Sequence, residues 1–305
     1  MAVAVIRAGV IWNQRSHRNQ RAGGRLPLPD DVLDVAPEHE GELYAALRRF
    51  AAEGVELVAI DGGDGTIREV LTRLPEAYGG RTPRVAIVPN GKTNALALDL
   101  GVPLGSTLED LLAAVRAGKP PKRRHCLEVV RPGLATPERR GFLFGFGAFV
   151  RGTELAQTNH RRGFFDSAAI AVTIVGAAGR TFVGGPEDPW RRGEPARLGD
   201  EPERAWFLVL ASTLKRFPLG LKPFGPPHEG LKVLSVEAPP RRLAAAVPAI
   251  LAGRDPPWLA GAGYRRRDIA EIDLSFAGHF VLDGEIFEGG ALTLRQGPEL
   301  EFVIP

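Results

Sequence analysis

Between Val3 and about Lys119, short apolar runs alternate with stretches in which apolar residues recur every three or four positions. That alternation predicts β/α units around a parallel sheet, because crossover helices cover both faces of such a sheet. The runs Val3–Trp12, Val32–Ala36, Leu57–Ile60 and Val85–Val88 read as strands, and Glu40–Glu53, Thr66–Leu74, Thr93–Leu100 and Thr107–Ala117 as helices. Gly54 and Gly118 stand where two of these helices should stop. Beyond Lys119-Pro120-Pro121-Lys122-Arg123-Arg124 the pattern turns strand-like: His125–Val130, Phe142–Phe149, Trp206–Ser212, Leu231–Glu237, Ile269–Phe276, His279–Leu282, Ala291–Arg295 and Leu300–Ile304. Helical segments interrupt it at Asp166–Ala178 and Arg241–Ala252, and the Gly/Pro-rich, charged Val183–Pro202 reads as an exposed loop. The expectation is an α/β N-terminal domain over residues 1–120 and a mostly antiparallel β C-terminal domain over 121–305, with the last strands free to return to the first domain.

Composition changes this picture little. The 305 residues are 44% hydrophobic and 25% charged, which places the chain among globular rather than disordered proteins. The longest apolar run, Ala168 to Ala178, falls short of the ~20 residues that span a bilayer. The start reads as a first strand rather than a signal peptide, so a cytoplasmic location is expected, with any membrane contact peripheral, at the inner face. A single Cys126 excludes a disulfide framework within one chain and a cysteine-based zinc site. The formal charge is only +3, but arginines cluster at Arg161-Arg162, Arg191-Arg192, Arg241-Arg242 and Arg265-Arg266-Arg267. Such clusters suit a solvated surface or anionic headgroups. Aromatics are not interleaved with them as a nucleic-acid platform needs, so no nucleic-acid partner is expected.

The chemistry concentrates in Val58-Ala59-Ile60-Asp61-Gly62-Gly63-Asp64-Gly65-Thr66-Ile67-Arg68-Glu69-Val70, where a strand runs into glycines and acids. A glycine turn between strand and helix lets backbone N–H groups and the helix dipole hold an anion. Thr66 and Glu69 have capping-box spacing and need do no more than start the helix. Asp61 reads as the end of the strand. Asp64 is explained by neither, and an acid beside phosphate calls for a compensating cation, which suggests Mg²⁺ with a nucleotide. A second strand–turn–helix follows at Val85-Ala86-Ile87-Val88-Pro89-Asn90-Gly91-Lys92-Thr93-Asn94-Ala95-Leu96-Ala97. Ala86 stands where a phosphate-binding P-loop would need its first glycine, so Gly91-Lys92-Thr93 is not read as one. Near the C-terminus, Asp283-Gly284 between apolar residues has the character of a hairpin turn.

Taken together, Gly62-Gly63-Asp64-Gly65-Thr66 with Glu69, the Pro89-Asn90-Gly91-Lys92-Thr93-Asn94 segment and Asp283-Gly284-Glu285 resemble the diacylglycerol kinase catalytic-domain superfamily, which includes bacterial lipid kinases and sphingosine kinases. NAD kinases and phosphofructokinases share the first of these motifs and the β/α sheet that carries it, but NAD kinases do not share the second motif. The resemblance implies ATP-dependent transfer of the γ-phosphoryl group to a lipid hydroxyl, with ATP and Mg²⁺ as cofactors and the substrates held in the cleft between two domains. It assigns Asp283, Glu285 and Asp64 to catalysis, with Asp283 receiving the hydroxyl proton. Asn13, Gly62, Gly63, Gly65, Thr66, Glu69, Gly91, Lys92, Thr93 and Asn94 are assigned to the nucleotide, and Asp64 to the metal.

The chain also departs from the family's pattern. Lys92 stands for a usual Thr and Ala95 for a usual Asp; Asn13-Gln14-Arg15-Ser16 lacks the family's Pro and Gly; Ala148 and Phe149 occupy an acid region; and His228 replaces an acid in Pro227-His228-Glu229-Gly230-Leu231. His17, beside the Asn13 loop, is a further candidate contact. The expected partners are a lipid substrate, a membrane surface and a second copy in a homodimer. Ala168–Ala178, Phe142–Phe149 and Phe164-Phe165 suit either an acyl-chain channel or ordinary core. The rival readings are a soluble-metabolite kinase such as NAD kinase and a non-catalytic nucleotide- or lipid-binding homologue.

Overall fold

The computed structural model describes residues 7–14, 16, 28–29, 32–91, 94–160 and 189–305. The chain divides into two compact units, residues 1–125 with 298–305, and residues 126–297.

The first unit is built on parallel strands β1 (Ala8–Trp12), β2 (Val32–Val35), β3 (Leu57–Gly62) and β4 (Arg84–Pro89), in the order β2-β1-β3-β4. Ala8 is level with Val32 on one side and Leu57 on the other, and Leu57 with Arg84. The C-terminal residues Phe302 and Val303 add a parallel neighbour to β4, opposite Val85 and Ala86. Strands buried on both faces explain their near-continuous apolar runs. Helices α1 (Glu40–Ala52), α2 (Asp64–Ala77), α3 (Ala95–Leu100) and α4 (Leu108–Arg116) complete the unit. Val10, Leu57, Ala59, Ala86, Val88, Leu111 and Val303 share one core cluster. Thr107 opens α4 with a capping box closed by Asp110. A buried ion pair, Arg124 Nε to Asp99 Oδ2 at 2.6 Å, holds the end of α3.

The order β2-β1-β3 means that the chain leaves β1 in one direction and later returns to its other side. The crevice beyond the C-terminal ends of β1 and β3 is therefore a topological switch point, where open α/β sheets bind ligands.

The second unit is antiparallel, in the order β11-β10-β9-β7-β12-β13. Its strands are β7 (Leu143–Gly147), β9 (Arg204–Ser212), β10 (Leu231–Glu237), β11 (Tyr264–Ile269), β12 (Glu271–Leu282) and β13 (Glu285–Val303), the last of which ends in the first unit's Phe302 and Val303. From Cys126 onward β5 (Lys122–Val130) pairs with β6 (Arg139–Gly141), and β8 (Glu194–Leu198) bridges β9 and β12. Phe146 stacks on Phe276 and Phe144 on Phe280, with ring centroids 4.4 and 5.0 Å apart. Helices α5 (Ala148–His160), α6 (Pro189–Arg192), α7 (Leu243–Leu251) and α8 (Trp258–Gly261) complete it. Among the described residues no helix is long and apolar enough to cross a membrane.

Several boundaries differ from the sequence reading. The strand expected over Phe142–Phe149 stops at Gly147, whose φ of +73° breaks the extended run, and α5 begins at Ala148. The loop expected over Val183–Pro202 contains α6 and β8, held in part by Trp206 Nε1 donating to the Ala196 carbonyl. Ile269–Phe276 and His279–Leu282 are redistributed: Ile269 ends β11, and β12 continues through an irregularity between Phe276 and His279. The helix expected over Asp166–Ala178 lies outside the described residues.

Glu128 lies in the core of the second unit, only 4% exposed. Arg140 Nε donates to one of its oxygens at 2.8 Å and Arg295 Nε to the other at 2.7 Å. Cys126 is on the same strand and fully buried. Burial pushes its thiol up to about 12; nearby Arg140 pulls down, while Glu128 and Asp283 add to the rise. Native Cys126 is therefore expected to resist iodoacetamide at pH 8 and to label stoichiometrically only once unfolded, because the thiolate is the reactive form. Mass spectrometry before and after denaturation reads this directly.

Candidate functional site

Two glycine turns converge at the switch point of the first unit. The turn after β3 carries Gly62 and Gly63, and the turn after β4 carries Gly91. Their backbones touch: a Cβ on Gly91 would lie 2.4 Å from the Cα of Gly63, and one on Gly63 would lie 3.0 Å from the Cα of Gly91. A Cβ on Gly62 would meet the Thr66 side chain at 2.7 Å. These glycines are thus required by packing of one turn on another, before any ligand is considered.

Polar side chains stitch the same turns together. Asn13, just past β1, donates its backbone N–H to the Asp61 carbonyl at 2.9 Å and its Nδ2 to Thr66 Oγ1 at 2.7 Å. Asn90 Nδ2 donates to Asp61 Oδ1 at 2.6 Å, so Asp61 is a tie between the two turns, more than the end of a strand. Asn94, buried and left-handed with φ of +50°, closes its own loop: it accepts from Gly91 N at 3.0 Å and donates to Gly91 O at 2.8 Å.

The capping box expected at Thr66 and Glu69 does not form. Helix α2 begins two residues earlier, at Asp64, with Gly63 as its N-cap and no side-chain cap bond. Thr66 is then already inside the first turn, with its hydroxyl taken by Asn13, and Glu69 pairs with Arg68 at 2.8 Å. Gly63 is extended, with φ of −98° and ψ of −178°, as an N-cap must be, and that sets the earlier start.

Asp64 faces the neighbouring turn. Burial pushes its carboxyl above the ordinary carboxylate range, against backbone N–H groups of Ala95, Leu96 and Asn94 and the Arg68 guanidinium, all of which pull it down. Asp64 therefore accepts from the start of α3, which has no side-chain cap of its own. Arg68, 2% exposed and one helical turn beyond Asp64, supplies the nearby positive charge. Sequence reasoning passed over Arg68; its signal was the Asp–Arg spacing of four.

In the second unit, Asp283 and Gly284 form the two-residue turn between β12 and β13, both with positive φ (+48° and +87°). The Asp283 carboxylate turns back onto the backbone: Phe142 N donates to both of its oxygens at 3.1 Å and Leu143 N to Oδ1 at 2.9 Å. Gly141 makes room, since a Cβ there would lie 2.5 Å from Asp283 Oδ2. Gln157 of α5 donates to the Gly284 carbonyl at 3.2 Å, and Glu285 is exposed at the start of β13.

Other expectations fare differently. Lys92, Thr93, His17, Arg161-Arg162, Phe164-Phe165 and Ala168–Ala178 lie outside the described residues. Arg265 pairs with Glu201 and Glu237, Arg267 with Glu201, and Arg266 with carbonyls of Pro223, Ile250 and Arg254, so the triple-arginine run braces β11. His228 closes its loop with Nε2 2.6 Å from Asp268 Oδ1 and Nδ1 2.7 Å from the Pro226 carbonyl. Among the described residues no group of three or more His, Cys, Asp or Glu could hold a metal ion. Asp64, with its oxygens on backbone donors, does not fit a resident Mg²⁺.

A small, open apolar pocket lies within the second unit. Phe149, Leu208, Leu234, Val236, Leu243 and Ile250 are among its walls.

Residues 30–124 match the family model of the diacylglycerol kinase catalytic domain. The two glycine turns thus lie in the part of the chain that is similar to that domain. A "Probable lipid kinase YegS-like" of Citrobacter koseri is 46% identical over 50 residues, 16% of this chain and 17% of the relative. Its namesake in Enterobacter sp. is 41% identical over 80 residues, 26% of each. The chain therefore spans about a quarter or less of the length of these curated relatives. A crystal structure of a diacylglycerol kinase from Bacillus anthracis superposes with a TM-score of 0.62 at 15% identity, over 98% of this chain and 97% of that one, which establishes likeness of fold.

Gly91→Ala is expected to destabilise the first unit by about 1–3 kcal/mol, because the added methyl forces the two turns apart. Urea unfolding followed by tryptophan fluorescence, with Trp12 at the end of β1 as reporter, checks this.

Proposed function

We propose that the protein is an ATP-dependent lipid kinase, its first unit an α/β domain of the kind found in NAD kinases and phosphofructokinases. The observation that carries the reading is the pair of glycine turns in mutual contact at the switch point, within the segment that matches the kinase family. Gly62, Gly63 and Gly91 let the two turns pack closely, Gly65 leaves the head of α2 open to phosphate oxygens, and the first N–H groups of α2 supply donors and dipole. Asn13, Thr66 and Asn94 hold the turns in place, and Lys92 and Thr93, next in sequence after Gly91, are further nucleotide contacts in this reading. Mg²⁺ belongs to the substrate here, arriving on the nucleotide's phosphates.

Phosphoryl transfer depends mainly on positioning and charge stabilisation. The lipid oxygen forms a bond to the γ-phosphorus as the bond to the β-phosphate oxygen breaks, and the hydroxyl proton passes to Asp283. Two backbone N–H donors fix the direction of its carboxylate. Glu285 stands beside it in the chain as an auxiliary acid. The apolar pocket of the second unit supports an acyl-chain ligand rather than a polar metabolite, because its walls offer hydrocarbon.

The test incubates purified protein with labelled ATP, Mg²⁺ and diacylglycerol, monoacylglycerol, sphingoid base or ceramide, followed by extraction into organic solvent. Label should enter the organic phase for at least one lipid. Asp283→Asn should lower that rate by about a hundredfold or more with an unchanged unfolding midpoint. Label confined to water across the panel defeats the lipid reading, and full activity of Asp283→Asn defeats the base.

A further inference from the structure

The segment Lys215-Arg216-Phe217-Pro218-Leu219-Gly220-Leu221-Lys222 follows β9 and carries Leu219 at its tip, 77% exposed. This leucine is also left-handed, with φ of +58° and ψ of +16°, a conformation that costs a branched L-residue backbone energy. The loop is nevertheless well braced. Phe217 packs against buried Phe224 with centroids 5.5 Å apart, Gly220 N donates to Phe217 O, Leu221 N to Pro218 O, and Lys222 N to Leu251 O. A firmly held loop thus presents a bare leucine where asparagine or glycine would sit with less strain.

Basic residues surround it. Arg216 and Lys222 are exposed within the loop, and a Cβ on Gly253 would meet the Lys222 side chain at 2.9 Å, which brings exposed Arg254 alongside. With Lys215 they outnumber the local acids: Glu229 faces Lys215, and Asp255 lies 3.9 Å from Arg266. The loop also adjoins the apolar pocket, since Pro223 follows it directly and Leu251, whose carbonyl takes the Lys222 N–H, lines the same walls.

From this juxtaposition of an exposed apolar tip, a cationic collar and an apolar pocket, we propose that residues 215–222 are a docking loop for an anionic lipid bilayer. Leu219 enters the acyl boundary, and Arg216, Lys222 and Arg254 meet the headgroups. The same contact sets the pocket wall at Pro223 and Leu251 close to the membrane surface. Among the described residues of this loop Leu219 is the one exposed large hydrophobic, with cations beside it, which suits headgroups and acyl chains better than the apolar core of a protein interface.

The test is co-sedimentation of the full chain, without nucleotide or substrate lipid, with vesicles of phosphatidylcholine alone or mixed with phosphatidylglycerol. It therefore stands or falls separately from the phosphoryl-transfer assay. The chain should bind the anionic vesicles, with binding that falls as salt rises. Leu219→Asn, which keeps the left-handed backbone, should weaken partitioning about tenfold. Lys222→Glu should weaken it by about tenfold or more. Neither exposed substitution should lower the unfolding midpoint. Failure of the wild-type chain to bind, equal binding to neutral vesicles, or full binding by both variants would each overturn the assignment.

Discussion

The carboxylate of Asp64 connects two turns that the parallel register of β3 and β4 forces into one small volume. It starts one helix and accepts backbone donors from the start of the next. Because Gly63 and Gly91 already touch at their α-carbons, the turns have no freedom to adjust without the strands behind them shifting. The ties from Asn13 to Thr66 and from Asn90 to Asp61 extend this coupling to β1 and β4. Most of the first unit's C-terminal edge therefore behaves as one piece, held by short polar contacts between elements that also share a buried core.

What the sequence made legible follows from which forces act locally. Strand positions in the first unit were readable because fully buried parallel strands are continuous apolar runs, and Thr107 was readable as a helix start because its cap lies within four residues. The earlier start of α2 was not, because the groups that redirect Asp64 come from residues 94–96, some thirty positions away. The same reason hides the roles of Asp61 and Arg68. In the second unit, β8 escaped notice because its segment, Glu194-Pro195-Ala196-Arg197-Leu198, has only its alternate residues Ala196 and Leu198 buried.

The family motifs point to the two turns but not to the division of labour inside them. Glycines that look like accommodation for a ligand are, at Gly62, Gly63 and Gly91, already demanded by protein packing. Turns held this firmly by the protein's own contacts have little left to rearrange, which suits positioning over induced closure. The arginine clusters illustrate the opposite case: residues 265–267 suggested an anion site, but their guanidinium groups are engaged by acids and carbonyls of their own unit.

The hairpin at Asp283 narrows the choice of residue in a way that acidity alone does not. A left-handed first turn position tolerates glycine, asparagine and aspartate and resists longer side chains. Glutamate would bring the same functional group on a longer arm, past the amides of Phe142 and Leu143 that now receive it, and from a backbone it adopts poorly. Chain reach and backbone handedness together favour aspartate over glutamate as the acid at this position, so the geometry of a turn restricts the chemistry it can display.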